Sequence, residues 1–279
     1  MRKFVLVFIF LISLSGVSRA QTYPINISED GFIFVEVTLN DSVKSNFVLD
    51  TGAGIIVISN KTLQKLDGSL TRLSVGTGFR SQGDRVDLPT YLLPSISIGE
   101  YKKSAVKIGV FGLLDDYGMD GLVSLKMFED QPFTIDFKNK LLILNTPSEL
   151  SALESSGKSV PVKFNSMTDM VLDMFIPVCL NDSITIDAEF DTGSGFRTFF
   201  VNPYFIDKLG LDASTMTVTG TGKNGAIPKV EICGTGTTQM NMPAQFETGL
   251  IYEGLIGSGI FKDKKVTIDI PDSQMIIND

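Results

Sequence analysis

Two short segments of this chain contain the residues best suited to chemistry. Each is an apolar run that ends in Asp-Thr-Gly, and the two aspartates are Asp50 and Asp191. Two carboxyl groups held close together cannot both ionise freely, so they share a proton and titrate as a coupled pair. The ionised member can activate a water molecule while the neutral member polarises a carbonyl group and helps protonate a leaving group. The two segments therefore predict hydrolysis by a carboxyl pair.

The absence of histidine narrows the chemistry further. The 279 residues include none, which excludes Ser-His-Asp and Cys-His hydrolases and argues against a zinc enzyme with the usual histidine ligands. A carboxyl pair acting on water requires neither a metal ion nor an organic cofactor, and we predict none.

Both aspartates lie in a duplicated context. Residues 34–54 align without a gap on 175–195, with ten of 21 positions identical, and residues 120–144 align on 253–277 with eight of 25 identical. Two ordered, paired blocks indicate two similar half-molecules, each of which contributes one carboxylate to a shared site.

The elements that must position these residues are mostly β-strands. β-Branched, aromatic and apolar residues alternate between turn signals, and Asn40-Asp41-Ser42 and Asn181-Asp182-Ser183 are matched hairpin turns that lead into the Asp-Thr-Gly strands. Only short helices are expected, at about 60–66, 124–129 and 203–209. The Ser-rich stretch around Pro147 and Gly157 is typical of a linker with a short helical piece. We therefore predict an N-terminal lobe at 21–147, a linker at 148–158 and a C-terminal lobe at 159–279.

The first 20 residues have the pattern of a secretory signal peptide. Arg2 and Lys3 precede an apolar stretch, and Ser18-Arg19-Ala20 forms a small-x-small cleavage site. No later window is long and apolar enough to span a membrane. We expect a protein that is secreted or periplasmic after cleavage near Ala20. The net charge of −8 and the lack of a dense basic stretch argue against a nucleic-acid partner.

The two cysteines, Cys179 and Cys233, both lie in the second half of the chain. In an oxidising compartment they could form one disulfide, and the alternative is a pair of buried free thiols that act as small apolar residues. Their positions in the sequence do not decide between the two.

The motifs as a whole resemble those of the aspartic protease superfamily, both pepsin-like and retropepsin-like. The matching residues are Asp50-Thr51-Gly52-Ala53 and Asp191-Thr192-Gly193-Ser194, followed in each half by an apolar-Gly segment at Gly121 or Gly254. The resemblance covers nearly the whole chain after residue 20, and it is to two retropepsin-like subunits fused in one chain. It implies an all-β fold of two pseudo-symmetric β-barrel lobes, with an active-site cleft between them that binds extended peptide.

The resemblance also implies roles for particular residues. Asp50 and Asp191 would be catalytic, and Thr51 and Thr192 would each hydrogen-bond to the opposite loop, within a supporting shell completed by Gly52, Ala53, Gly193 and Ser194. Each half also has Gly-Thr-Gly after its aspartate, which suggests two substrate-covering flaps or, alternatively, two plain hairpin tips. The candidate flap residues are Val75, Gly76, Thr77, Gly78, Gly220, Thr221 and Gly222.

Ala53 and Ser194 make the two predicted sites unequal. A Ser194 hydroxyl could donate a hydrogen bond to the neighbouring carboxylate and favour its charged form, whereas Ala53 cannot. We therefore expect Asp191 to be the more readily ionised aspartate and Asp50 to hold the proton.

The sequence predicts a secreted aspartic endopeptidase that acts as a monomer on protein or peptide substrates. The alternative is a catalytically inactive protein of the same two-lobed fold that binds a peptide or a glycan in its cleft. The presence of both aspartates and both threonines favours the enzyme, because a binding protein has no need of a charge-frustrated carboxyl pair.

Overall fold

Strands dominate the fold, and they form two barrels joined by a shared sheet. The structure is a computed structural model that describes residues 20–66, 68–166 and 169–279. The predicted signal peptide therefore lies, apart from Ala20, outside the described residues.

The strands of the first half, in chain order, are β1 (Gln21–Pro24), β2 (Asn26–Ile27), β3 (Ile33–Leu39), β4 (Val43–Leu49), β5 (Val57–Ile58), β6 (Thr71–Phe79), β7 (Arg85–Ile98), β8 (Tyr101–Val110), β9 (Gly121–Val123), β10 (Phe133–Asp136) and β11 (Leu141–Leu144). Those of the second half are β12 (Lys158–Pro161), β13 (Lys163–Asn165), β14 (Asp173–Leu180), β15 (Ile184–Phe190), β16 (Phe199–Val201), β17 (Thr217–Val218), β18 (Gly222–Ile232), β19 (Thr238–Glu247), β20 (Gly254–Ile256), β21 (Lys265–Asp269) and β22 (Gln274–Asn278). The described α-helices are short: α1 (Asn60–Lys65), α2 (Pro147–Ser156) and α3 (Phe205–Lys208). Single turns of 3₁₀-helix occur at Gly112–Asp115, Leu125–Phe128, Thr192–Ser194 and Ser258–Phe261.

Each half closes into a barrel of six strands. In the first, the order β3-β4-β9-β5-β8-β7 returns to its start because β7 also pairs with β3. In the second, β14-β15-β20-β16-β19-β18 closes through the pairing of β14 with β18. Closure leaves these strands without a free edge, and alternate side chains fill the interior. On β14, for example, Met174, Ile176, Val178 and Leu180 are completely buried.

A third sheet joins the two halves. Its order is β1-β11-β10-β21-β22-β12, with β10 of the first half paired antiparallel to β21 of the second. Thr134 lies opposite Thr267, and their hydroxyl oxygens are 2.7 Å apart. Their separation of 133 positions equals the offset of the second sequence repeat, so the pseudo-twofold axis passes through this pair.

The predicted hairpin turns and the helical linker occur where the sequence indicated them. Asn40, Asp41, Asn181 and Asp182 all have positive φ, the conformation that tight hairpin turns require. Helix α2 begins with a capping box in which Thr146 and Glu149 each bind the other's backbone N–H.

Cys179 and Cys233 form a disulfide that links β14 to the segment just after β18. In the described part of the chain, no helix is long and apolar enough to cross a membrane.

Candidate active site

The two aspartates lie at the ends of equivalent strands. Asp50 follows β4, and its N–H donates to the Val123 carbonyl at 2.9 Å. Asp191 follows β15, and its N–H donates to the Ile256 carbonyl at the same distance. Their neighbours, β9 and β20, run parallel to the aspartate strands. These are the apolar-Gly segments of the sequence, and a Cβ at Gly121 would lie 2.5 Å from the Phe47 ring. Only glycine allows this close approach.

Four hydrogen bonds between Thr51 and Thr192 and the facing loops tie the two lobes together beneath the aspartates. The Thr51 N–H donates to Thr192 Oγ1 at 3.1 Å, and the Thr192 N–H donates to Thr51 Oγ1 at 3.0 Å. The Thr51 hydroxyl donates to the Phe190 carbonyl at 2.5 Å and the Thr192 hydroxyl to the Leu49 carbonyl at 2.7 Å. Both threonines are completely buried. The reciprocal pattern fixes one loop against the other, as a two-fold-related contact must.

Each aspartate lies against the glycine of the opposite loop. A Cβ built on Gly193 would lie 2.2 Å from Asp50 Cγ, and one built on Gly52 would lie 2.6 Å from Asp191 Cγ. The two carboxyl groups are within hydrogen-bond reach of each other. The structure therefore brings together the pair that the sequence singled out.

The two carboxyl groups have different surroundings. Asp50 Oδ1 accepts hydrogen bonds from the N–H groups of Gly52 and Ala53, both at 3.0 Å. Asp191 Oδ1 is buried and has no hydrogen-bond partner in the described part of the chain. Burial raises the pKa of both groups. The negative charge of Asp50 raises the pKa of Asp191 further, to well above its ordinary range.

The contact on which the predicted order of ionisation depended is not present in the structure. It assumed that the Ser194 hydroxyl would donate to the Asp191 carboxylate. Instead, the hydroxyl donates to the main-chain carbonyl of Asp191 at 2.8 Å. Backbone N–H groups favour the charged form at both sites, those of Gly52 and Ala53 at Asp50 and those of Gly193 and Ser194 at Asp191.

Loops from each lobe also cross to the other beside the aspartates. The Phe196 N–H donates to the Asp30 carbonyl at 2.8 Å, and the Leu172 N–H donates to the Gly54 carbonyl at 2.9 Å. The second of these loops brings Asp173 close to the segment after Asp50, since a Cβ on Gly54 would lie 2.8 Å from Asp173 Oδ1.

A long hairpin of the N-terminal lobe reaches the C-terminal lobe. Strands β6 and β7 pair antiparallel, from Thr71 opposite Leu92 to Phe79 opposite Arg85. A turn at residues 80–84 joins them. At the tip of the hairpin, the Ser81 carbonyl accepts a hydrogen bond from the Ile251 N–H at 2.9 Å. The hairpin therefore bridges the two lobes, as a substrate-covering flap does.

The candidate flap residues have different positions in the two lobes. Val75, Gly76, Thr77 and Gly78 lie in β6, on one arm of the bridging hairpin. Gly220, Thr221 and Gly222 instead form a tight turn, and the Thr221 carbonyl accepts from Thr248 of the same lobe. These three line a depression of about 530 Å³ on that lobe together with Pro203, Ile206 and Phe246. The N-terminal hairpin is thus the one that reaches the opposite lobe, and both flaps stay predictions.

Three residues beside the site were missed in the sequence. Glu189 lies two positions before Asp191 and is only 4% exposed. Asp173 and Tyr252 are electrostatically coupled to it. The repeat carried a signal, because Glu189 aligns with the apolar Val48 of the first half.

Comparison with known proteins supports the resemblance. A family model described as aspartyl protease matches residues 35–125, which include Asp50. A retropepsin-like aspartic protease from Rickettsia conorii aligns with 46% of this chain and 92% of its own, at 26% identity and a TM-score of 0.35. The structure of EDGP aligns with 92% of this chain and 94% of its own, at 10% identity and a TM-score of 0.55. The similarity to EDGP is one of fold alone, and it extends over both lobes. No curated protein matches the sequence. The chain thus resembles the aspartyl protease family in sequence within its first lobe and has the two-lobed pepsin-like fold throughout.

Proposed function

We propose that this protein is an aspartic endopeptidase, in which Asp50 and Asp191 activate a water molecule to hydrolyse peptide bonds. One observation carries the proposal: the two aspartates face each other above four hydrogen bonds made by Thr51 and Thr192. Burial of two adjacent carboxyl groups is unfavourable because it penalises their charged forms. Such a pair is expected where catalysis requires it.

The different surroundings of the two carboxyl groups support the following assignment of steps, in which Asp50 is the base and Asp191 holds the proton. The Asp50 carboxylate takes a proton from water, and the resulting hydroxide attacks the peptide carbonyl carbon. The Asp191 carboxyl group donates a hydrogen bond to the carbonyl oxygen and stabilises its developing charge. The proton taken by Asp50 then passes to the leaving nitrogen as the C–N bond breaks. Water supplies every atom added to the products, so no cofactor takes part.

An extended protein or peptide segment is the substrate that this arrangement suits. The β6–β7 hairpin extends from the N-terminal lobe and contacts the C-terminal lobe through Ser81 and Ile251. An extended chain held between the hairpin and the aspartates would offer its backbone to the hairpin and its side chains to either lobe. Both aspartates come from one chain, so we propose that the protein acts as a monomer.

The proposed compartment is outside the cytoplasm. The Cys179–Cys233 disulfide is expected to persist only in an oxidising environment. A secreted or periplasmic location agrees with the leader-like pattern of the first 20 residues.

The test is the digestion of an unstructured protein between pH 3 and pH 8. Wild type, Asp50→Asn and Asp191→Asn would be compared, with Asp116→Asn, an exposed aspartate, as the matched control. We expect cleavage by wild type and the control, and none by the two active-site variants. Absence of cleavage by wild type at every pH would refute the proposal and favour the peptide- or glycan-binding alternative.

A further inference from the structure

Glu189 occupies the same face of β15 as Asp191. Successive side chains of a strand point to opposite faces, so residues two apart share a face. The neighbours Ala188 and Phe190 point the other way and are completely buried in the barrel. Glu189 therefore faces the cleft side of the strand, roughly 7 Å along it from the catalytic position.

Neighbouring elements complete a small acidic recess, which we define as Glu189, Asp173, Phe175 and Tyr252. Phe175 lies directly opposite Glu189 on β14, and Asp173 lies two residues further towards the aspartates. The Tyr252 ring packs edge-on against Phe175 with centroids 5.1 Å apart. Glu189 is 4% exposed, whereas the other three are partly exposed. Glu189 is thus the floor of the recess, and the others form its rim.

The carboxyl groups of the recess lack a cationic partner among the described residues. Among the described residues, no Lys or Arg forms an ion pair with Glu189 or Asp173, and no donor hydrogen-bonds to the Glu189 carboxyl group. Asp173 accepts one long hydrogen bond, from Asn165 at 3.3 Å. A buried carboxyl group without a partner is strongly unfavourable when charged.

The titration of these groups reflects the same imbalance. Burial raises the pKa of Glu189 to about 9, helped by the negative charges of Asp191, Asp173 and Asp50. Burial also raises the pKa of Tyr252, together with the negative charges of Glu189, Asp173 and Asp191. A pKa of about 9 means that Glu189 is protonated at neutral pH.

The recess exists on one side of the site only. The residue equivalent to Glu189 in the first lobe is Val48, which is 1% exposed. The second lobe thus buries a carboxyl group where the first lobe buries an apolar side chain.

We propose that the acidic recess binds a lysine or arginine side chain of the substrate, from the residue that flanks the scissile bond. This inference rests on the proposed function, because it places the substrate across Asp50 and Asp191. The aliphatic stem would pack on Phe175, and the cationic end would reach Glu189 and Asp173. A divalent metal ion is a poorer occupant, since no three acidic or sulfur side chains of the described residues converge closely enough to hold one.

Binding of a cation in the recess has a distinctive consequence. The positive charge favours the ionised form of Glu189, so a neutral Glu189 loses its proton to the solvent when the ligand binds. Up to one proton per bound side chain is therefore expected to be released near pH 7.

The experiment uses peptides whose central bond is replaced by a hydroxyethylene group and cannot be hydrolysed. The peptides are identical except for lysine, norleucine or glutamate at the position before or after that group. Calorimetry in buffers of different ionisation enthalpy gives both the Kd and the number of protons released. Wild type would be compared with Glu189→Gln and with Asp187→Asn, a matched control on the same face of β15 that pairs with Lys163.

At one of the two positions, we expect lysine to bind wild type and Asp187→Asn at least tenfold more tightly than norleucine, with proton release. Glu189→Gln should lose both the preference and the proton. Equal binding of lysine and norleucine, a preference that survives in Glu189→Gln, or no binding at all would overturn the inference. Hydrolysable versions of the peptides separate the two proposals. Cleavage without a lysine preference refutes the recess alone, and lysine-selective binding without cleavage refutes the protease alone.

Discussion

Replacement of Glu189 by glutamine should remove a loss of stability that wild type undergoes as the pH rises. Relative to wild type, the variant should therefore become more stable at higher pH. The pKa of this carboxyl group is raised from 4.5 to about 9, by burial first and then by the charges of Asp191, Asp173 and Asp50. Between those two values the folded state holds a proton that the unfolded state has lost. Stability must therefore fall as the pH rises through this window, by about 1.4 kcal/mol per pH unit. At pH 7 the penalty amounts to about 3 kcal/mol.

Glutamine has the same shape but does not titrate, so it removes the penalty. Its amide still needs partners in the recess, which shifts the whole curve by a constant amount. The informative quantity is therefore the difference in unfolding free energy between variant and wild type. That difference should grow in favour of Glu189→Gln by about 4 kcal/mol between pH 5 and pH 8.

Urea unfolding at several pH values measures this difference. Glu36→Gln, on an exposed strand position, is the control for the substitution itself, and its curve should run parallel to wild type. A Glu189→Gln difference that does not change with pH, or that grows towards acid, would refute the reasoning.

Three further predictions concern the other parts of the structure. Thr51→Val should destabilise the protein by about 2–5 kcal/mol, because it leaves Thr192 N–H and the Phe190 carbonyl buried without partners, whereas exposed Thr71→Val should have little effect in the same unfolding assay. Reduction of the Cys179–Cys233 disulfide should remove about 4 kcal/mol of stability, as expected for a sequence separation of 54, and a Cys179→Ala, Cys233→Ala variant should not respond to the reductant. Ala53→Ser should leave the pH–rate profile unchanged, because the equivalent Ser194 hydroxyl donates to a main-chain carbonyl, and a displaced acidic limb would show that it reaches the carboxylate instead.

The sequence was sufficient to predict the fold and the residues at its centre, because the motifs of both occur in two copies, one in each half of the chain. Apolar alternation defined strands such as β3 and β4, and the repeat placed Asp50 and Asp191 in equivalent positions. The glycine in each apolar-Gly segment was enough to predict that the segment approaches its aspartate strand closely.

The features that were not predicted depend on contacts between distant elements. A glutamate in a strand usually faces solvent, and only the assembled β14, β15 and β20 show that Glu189 is covered. The direction of the Ser194 hydroxyl is a rotamer choice that the sequence does not encode simply. The reach of the β6–β7 hairpin depends on the length of its strands, rather than on the Gly-Thr-Gly triplets.

The central claim is that Asp50 and Asp191 act as one unit, and kinetics on a peptide substrate test it most directly. We expect Asp50→Asn and Asp191→Asn each to lower kcat/KM by at least about a thousandfold, and the double variant to be no worse than the single ones, since residues that act as a unit are not additive. Losses that multiply in the double variant, or activity that survives either substitution, would contradict the account.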